Sequence, residues 1–499
     1  MWVAVDMPIE SASDCRGRDH ATRTLPTNKR VGSMRYAITV ATCAIGCDTA
    51  RDIEYIGFFM SAMRTSWVAV EHTQCQPTTR MPMTISPEQT RNAIAQVCHA
   101  DSLAESLIRF NQYETALQDC KFVFASSDGN TPGLATHRDF EAGAAVRSLF
   151  ATQTVVVIDR NTVADMRSGS ATFGFDYSIS LDTQALSYLL PYLNSNTSKL
   201  PKDYESVFAF FAHPDTNVDP TPYRLENLFN LTKRPAEDHR IYERMRGYEI
   251  LRTLDATSLA NGNPRSTLSD AELTKRTQEQ MASMYSWIDT PHLMDSTRFK
   301  HGTMYCLLLK MCTLQLAKPR ASAMEKLVEF CDFCDKSLAT MYARETLIAR
   351  RYFERGRSLG FFSKIMIEGK EQIERLHAMA WDLWHVRWLE KAITLNVSPH
   401  ARYFFPALLT FDKGLIEILD LYPLRACAYS EASGEPYAVF DGDWLTDIAG
   451  DSVAGHAFVD RFYSDQAIAR RETIRDEMRP GLYRLIDALE TEFRQVARI

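Results

Sequence analysis

Three aspartates of this 499-residue chain lie in strongly apolar surroundings: Asp182 in YSISLDTQALSYLL, Asp382 in HAMAWDLWHVRWLE and Asp412 in FFPALLTFDKGLIEIL. Taking an ionised carboxylate out of water is costly unless a metal, an ion-pair partner or a catalytic duty compensates. Carboxylate oxygens suit hard cations, and such cations activate water against phosphodiesters, so three acids placed this way point to hydrolytic phosphate chemistry. Each also has a plainer explanation. Asp182 and Asp412 precede helices and would cap them through backbone N–H groups, a common task for Asp. Asp382 lies inside a helix and cannot cap, so its plain explanation is a buried ion pair with a residue such as Arg387 or His385. His385, one turn after Asp382, could touch the same site, but a lone histidine in a helix is more often a satisfied core or surface residue.

The elements that must position these acids are legible around them. An apolar strand that ends in Asp and turns into a helix places the carboxylate at the carboxyl edge of a parallel sheet, where open α/β folds bind ligands. The strand over 177–181 and the segment ARYFFPALLTF both have this form, and the helix after Asp182 carries the apolar stripe Ala185, Leu186, Leu189, Leu190 and Leu193. Around Asp382, Met379, Ala380, Trp381, Leu383, Trp384, Val386 and Trp388 give the pattern of a buried helix, with the tryptophans read as core. Asp159, closing VVVID, is an alternative first acid, although the helix after it is weakly patterned.

Upstream, the pattern predicts helices over 87–97 and 103–118, a strand over 122–125, a helix around 140–150 and a strand over 155–159, together a small α/β unit spanning 83–170. Residues 1–82 lack sustained periodicity and read as a poorly specified or disordered extension. A helix-rich stretch runs from 201 to about 395. After Asp412, KGLIEILDLY reads as a helix and LRACAYS as a strand, restoring the alternation of an α/β fold. The remaining segment, 431–499, ends in a charged amphipathic helix over 468–494.

The segments SISLDTQALSYL, PTPYRLENL, MAWDLWHV and LLTFDKGL resemble, in this order, PIN-like nucleases, in which acids from strand ends and helices converge on divalent metal. The resemblance covers 177–430. It implies a PIN-like parallel sheet flanked by helices over 171–430, with a large helical insertion at about 236–375 and a helical C-terminal extension. It further implies that Asp182, Glu226, Asp382 and Asp412 form the catalytic and metal-binding set for Mg²⁺ or Mn²⁺, with Thr410 in the family's small-hydroxyl position. Glu249 and Glu345, both in helices with apolar neighbours, are rivals of Glu226 for the second acid. The activity implied is metal-dependent endonucleolytic hydrolysis, of RNA before DNA, in a cytoplasmic protein of the toxin or defence-effector kind. The competing expectation is a non-catalytic PIN-like scaffold that binds a protein or nucleic-acid partner, with the helical region offering a surface for a protein partner or a second copy.

Composition narrows the alternatives. A formal charge of −7 argues against a generally basic coat for nucleic acid and leaves local patches. The densest is Arg344, Arg350, Arg351, Arg355 and Arg357, in which Arg344, Arg351 and Arg355 share a helix face and would track a phosphate backbone, unless Glu345 and Glu354 make it an ordinary solvated face. The apolar run over 36–47 is too short to cross a bilayer and stands behind more than thirty residues, the wrong place for a secretory signal, so no membrane association is expected. The eleven cysteines are irregularly spaced, and Cys331 and Cys334 lack a second ligand pair, which favours free thiols. A haloacid-dehalogenase-like phosphatase needs a second Asp two positions after the first, where this chain has Gln184 or Asn161. The chain contains no GxxxxGK[ST], HExxH or GxSxG motif.

Overall fold

The computed structural model describes residues 85–130, 136–168, 174–213, 215–233, 238–395, 401–450 and 452–499. The expected extension over 1–82 and the apolar run over 36–47 lie outside these residues. The fold is α/β, with two sheets embedded among helices. α1 (Pro87–Cys98) opens with a capping box between Ser86 and Gln89, and α2 (Leu103–Gln112) is capped by Ser102. β1 (Cys120–Asn130), β2 (His137–Asp139), β3 (Ala145–Ser148), β4 (Val155–Ile158), α3 (Arg160–Ser168), β5 (Gly174–Leu181) and α4 (Thr183–Leu193) follow. The helix expected around 140–150 is not formed. Glu141 to Gly143 make a turn closed by the Phe140 N–H on the Ala144 carbonyl, and β3 then pairs with a strand more than 250 residues away, so tertiary pairing overrides local pattern.

Next come α5 (Tyr204–Phe211), β6 (Val218–Asp219), α6 (Thr221–Lys233), α7 (Asp238–Arg252), α8 (Ala256–Ala260), α9 (Asp270–Ile288), α10 (Pro291–Ala317), α11 (Ala323–Phe333), α12 (Ala343–Arg355) and α13 (Gln372–Ala392). The chain returns to the sheets through β7 (Ala401–Thr410), α14 (Lys413–Leu421), β8 (Leu424–Ser430) and β9 (Tyr437–Phe440). It ends in α15 (Trp444–Ala449), α16 (Val453–Tyr463), α17 (Asp465–Met478) and α18 (Leu482–Ala497). The single terminal helix expected over 468–494 is therefore two, separated by a 3₁₀ turn over Arg479–Gly481, where Pro480 lacks the N–H a continuous helix needs.

One sheet has the order β4-β1-β8-β9 and is antiparallel throughout. The other has the order β2-β3-β7-β5-β6; its three central-to-edge strands β7, β5 and β6 are parallel, while β2 and β3 are antiparallel. The second sheet is therefore mixed and the first antiparallel, where a parallel sheet was expected. The stretch 83–170 is also not a unit closed on itself, because β1 pairs with β8 and β3 with β7. β5 and β7 are buried along nearly their whole length, as parallel strands covered on both faces are. Pro406 is tolerated inside β7 because β3 pairs only with 407–410, so no hydrogen bond to β3 is asked of residue 406.

Alternation along β1 divides the interior. Phe122 and Phe124 face α1 and α2 in a small core with Ile94, Val97, Leu107 and Phe110, whereas Val123 points into the main core shared by the second sheet and the helices. α10 runs through the helical layer and packs against α13 and α18, which fixes α13 beside the parallel strands. No described helix is long and apolar enough to cross a membrane.

A candidate carboxylate site at the edge of the parallel strands

Leu181 of β5 lies opposite Leu409 of β7, and the ladder continues through the Asp182 N–H to the Leu409 carbonyl at 3.2 Å. Asp182 and Asp412 therefore emerge at the same carboxyl edge from adjacent parallel strands. β6 reaches that edge on the other side of β5 and turns into α6, which carries Glu226. Asp382 comes from the middle of α13. All four acids act electrostatically on a common region: the Asp382 carboxyl is held well above the usual carboxylate range by burial and by the charges of Asp412, Glu226 and Asp182.

Asp182 is 8% exposed and caps α4, its Oδ1 accepting from the Ala185 N–H at 2.6 Å and its Oδ2 from the Phe411 N–H at 3.3 Å. Burial pushes its carboxyl up to about 6; hydrogen bonds from Thr410, Ala185 and Phe411 pull it back, and the charge of Asp412 adds to the rise. Thr410, fully buried, also accepts the Asp412 N–H at 3.0 Å, so one hydroxyl joins the first and last acids. Asp412 is exposed and caps α14 through Gly414 and Leu415 at 2.7 and 3.1 Å. Both capping explanations hold in the structure, and neither removes the acid from the cluster.

The Glu226 Oε2 accepts from Thr183 Oγ1 at 2.6 Å, which ties α6 to the residue after Asp182. Burial lifts Glu226 to about 7, the Thr183 bond and the charge of Arg244 opposing this and the Asp182 charge adding to it. Asp382 has no hydrogen-bond or ion-pair partner among the described residues, so the ion pair considered for it is absent. Arg387 is committed to Glu345 and Glu390. His385 faces Glu226 instead, with Nε2 3.6 Å from Oε1, and burial lowers its imidazole to about 3. A neutral His385 supplies no countercharge. Among the described residues no Lys or Arg forms an ion pair with any of the four acids.

The remaining candidates lie elsewhere. Asp159 caps α3 through the Thr162 N–H at 2.6 Å and accepts from Tyr403 Oη at 2.6 Å. Glu249 is buried against Gln280, whose Nε2 donates to it at 2.8 Å. Glu345 is fully buried and bonded to Arg387 at 2.9 Å. Each of the three is hydrogen-bonded within the fold. Arg344 is a further correction: at 1% exposure, with Nε on Glu390 at 2.9 Å and Nη1 on the Tyr422 carbonyl at 3.0 Å, it cannot meet a nucleic acid. Arg351 pairs with Glu354 at 3.1 Å and Arg355 with Glu417 at 2.8 Å, so the remaining basic face is already ion-paired.

Hard oxygen donors and uncompensated negative charge fit a divalent cation. Spacing is the other half of the test: among the described residues no three His, Cys, Asp or Glu side chains stand close enough to share one ion directly. An ion here would be held by fewer direct ligands, with water completing its sphere, as Mg²⁺ commonly is. No family model, characterised protein or solved structure matches this chain.

Proposed function

We propose that this protein is a metal-dependent endonuclease of PIN-like type that hydrolyses phosphodiester bonds, with RNA as the preferred substrate. The observation that carries the reading is the convergence of Asp182, Glu226, Asp382 and Asp412 without a paired cation, Asp382 having no partner of its own. Such a concentration of like charge opposes folding unless something positive is bound there. Mg²⁺ or Mn²⁺, when bound, would supply that charge together with activation of water and stabilisation of a leaving oxygen.

The four acids would hold the cation, directly or through water. Asp182 is the best fixed of them, since two backbone N–H groups and Thr410 set its orientation. Glu226, held by Thr183, would orient a water molecule at the same edge. The choice of RNA, and a role as a toxin or defence effector, rest on the resemblance of the four motifs to PIN-like nucleases.

One observation favours a second reading. The absence of three ligands within reach of one ion suits a PIN-like scaffold that binds a partner without catalysis. Cleavage of single-stranded RNA and DNA by the full chain with Mn²⁺ or Mg²⁺, beside folded Asp182→Asn and Asp382→Asn variants, separates the two. Metal-dependent cleavage lost in both variants supports the nuclease. An inactive parent that gains no stability from either metal supports the scaffold.

A further inference from the structure

His385 stands beside Glu226, and the four acids do not account for its chemistry. It is 2% exposed, and its Nε2 is buried with no hydrogen-bond partner. An imidazole nitrogen shut away from water without a partner is costly and calls for an explanation. The ring is held against the Pro222 carbonyl, one turn before Glu226 on α6, and lies 6.2 Å from the Trp381 ring. Trp381 in turn packs on His301 with ring centroids 4.4 Å apart. Packing thus fixes the ring and leaves Nε2 facing Glu226 Oε1.

The separation of those two atoms, 3.6 Å, is too long for a hydrogen bond. It is a little longer than the distance between two ligands of one ion, about 3 Å at a right angle and about 3.4 Å at a tetrahedral one for bonds of about 2.1 Å, so a bound ion would draw the two atoms together by a few tenths of an ångström or more. A neutral imidazole bonded to a backbone carbonyl is also the form in which histidine ligates metals. We infer that His385 and Glu226 form a mixed nitrogen–oxygen ligand pair that makes the acid cluster select Mn²⁺, or a softer divalent ion, over Mg²⁺. Imidazole suits the transition metals, whereas Mg²⁺ is served by oxygen. The inference rests on the metal-site reading proposed above and narrows the choice of ion.

The test is Mn²⁺ binding by the full chain, followed by electron paramagnetic resonance, with Mg²⁺ affinity read by competition. In the Mn²⁺-loaded wild type, electron spin echo modulation from an imidazole ¹⁴N is expected. His385→Gln should abolish that modulation and weaken Mn²⁺ by about tenfold or more, a first-sphere loss at least as large as those seen for supporting groups. Mg²⁺ affinity should change by less than about twofold. The ¹⁴N signal is read on the wild-type chain, so it does not depend on any variant folding. Mn²⁺ binding that is lost in Asp382→Asn but shows no ¹⁴N modulation would overturn the assignment of His385 and leave the carboxylate site intact. Absence of Mn²⁺ binding in the wild type would overturn both.

Discussion

Two groups of acids each draw one member from the same helix, α13, and they are solved in opposite ways. Toward its end, Glu390 joins Glu345, Arg344 and Arg387 in a network in which each side chain is 2% exposed or less. Arg387 donates to Glu345 and Glu390, and Arg344 donates to Glu390 at 2.9 Å. Two cations answer two anions. Eight residues earlier, about 12 Å along the axis at helical rise, Asp382 faces Asp182, Glu226 and Asp412, and among the described residues no Lys or Arg is ion-paired with this group. Burial alone therefore does not mark a functional acid. The paired set is internally neutral, while the unpaired set relieves its like charge by holding protons to higher pH.

The contrast can be broken in several ways. The largest effect on stability is expected in the paired set: Arg387→Ala would strip Glu345 of its cation, leave Glu390 with Arg344 alone and cost about 3–5 kcal/mol, read by denaturant unfolding. Asp382→Asn should do the reverse in the metal-free protein, holding or raising stability while lowering metal-dependent cleavage by at least about a hundredfold. A substantial loss of stability in Asp382→Asn would erase the distinction between the two sets.

Metal linkage sharpens it further. Mn²⁺ at about a hundred times its dissociation constant should stabilise the wild type by about 2.7 kcal/mol, and the shift should vanish in Asp182→Asn. In metal-free buffer, Asp182 rises from 3.8 to about 6 and Glu226 from 4.5 to about 7. The folded state thus keeps protons that the unfolded chain has released, so stability should fall as pH rises from about 4 to 7. Asp182→Asn, which retains a capping oxygen, should flatten that slope and gain up to about 2–3 kcal/mol at neutral pH. The smallest effect belongs to the cap: Asp412→Ala should cost about 1 kcal/mol through α14, measurable as a lowered melting temperature with metal absent.

Local pattern made much of this legible. The strands ending at Leu181 and Thr410 and the helices that follow them were readable because apolar runs, an Asp cap and a new stripe occur within a few residues of each other. The segment around 140–150 was not, since its strand exists only by pairing with β7. The choice among Glu226, Glu249 and Glu345 was not legible either. All three sit in helices with apolar neighbours, and what separates them is whether Thr183, Gln280 or Arg387 lies opposite. Arg344 looked like part of a basic face for the same reason.

By itself, then, the sequence determined the types and order of the acids and the strand-to-helix turns that launch Asp182 and Asp412, because capping and periodicity act over a few residues. Only the tertiary structure decided that β5 and β7 are neighbours, that Glu226 joins them, and that α13 offers one acid unpaired and another neutralised. Those outcomes depend on contacts between residues far apart in the chain, and the electrostatic state of a buried carboxylate is set by whatever group the fold places beside it.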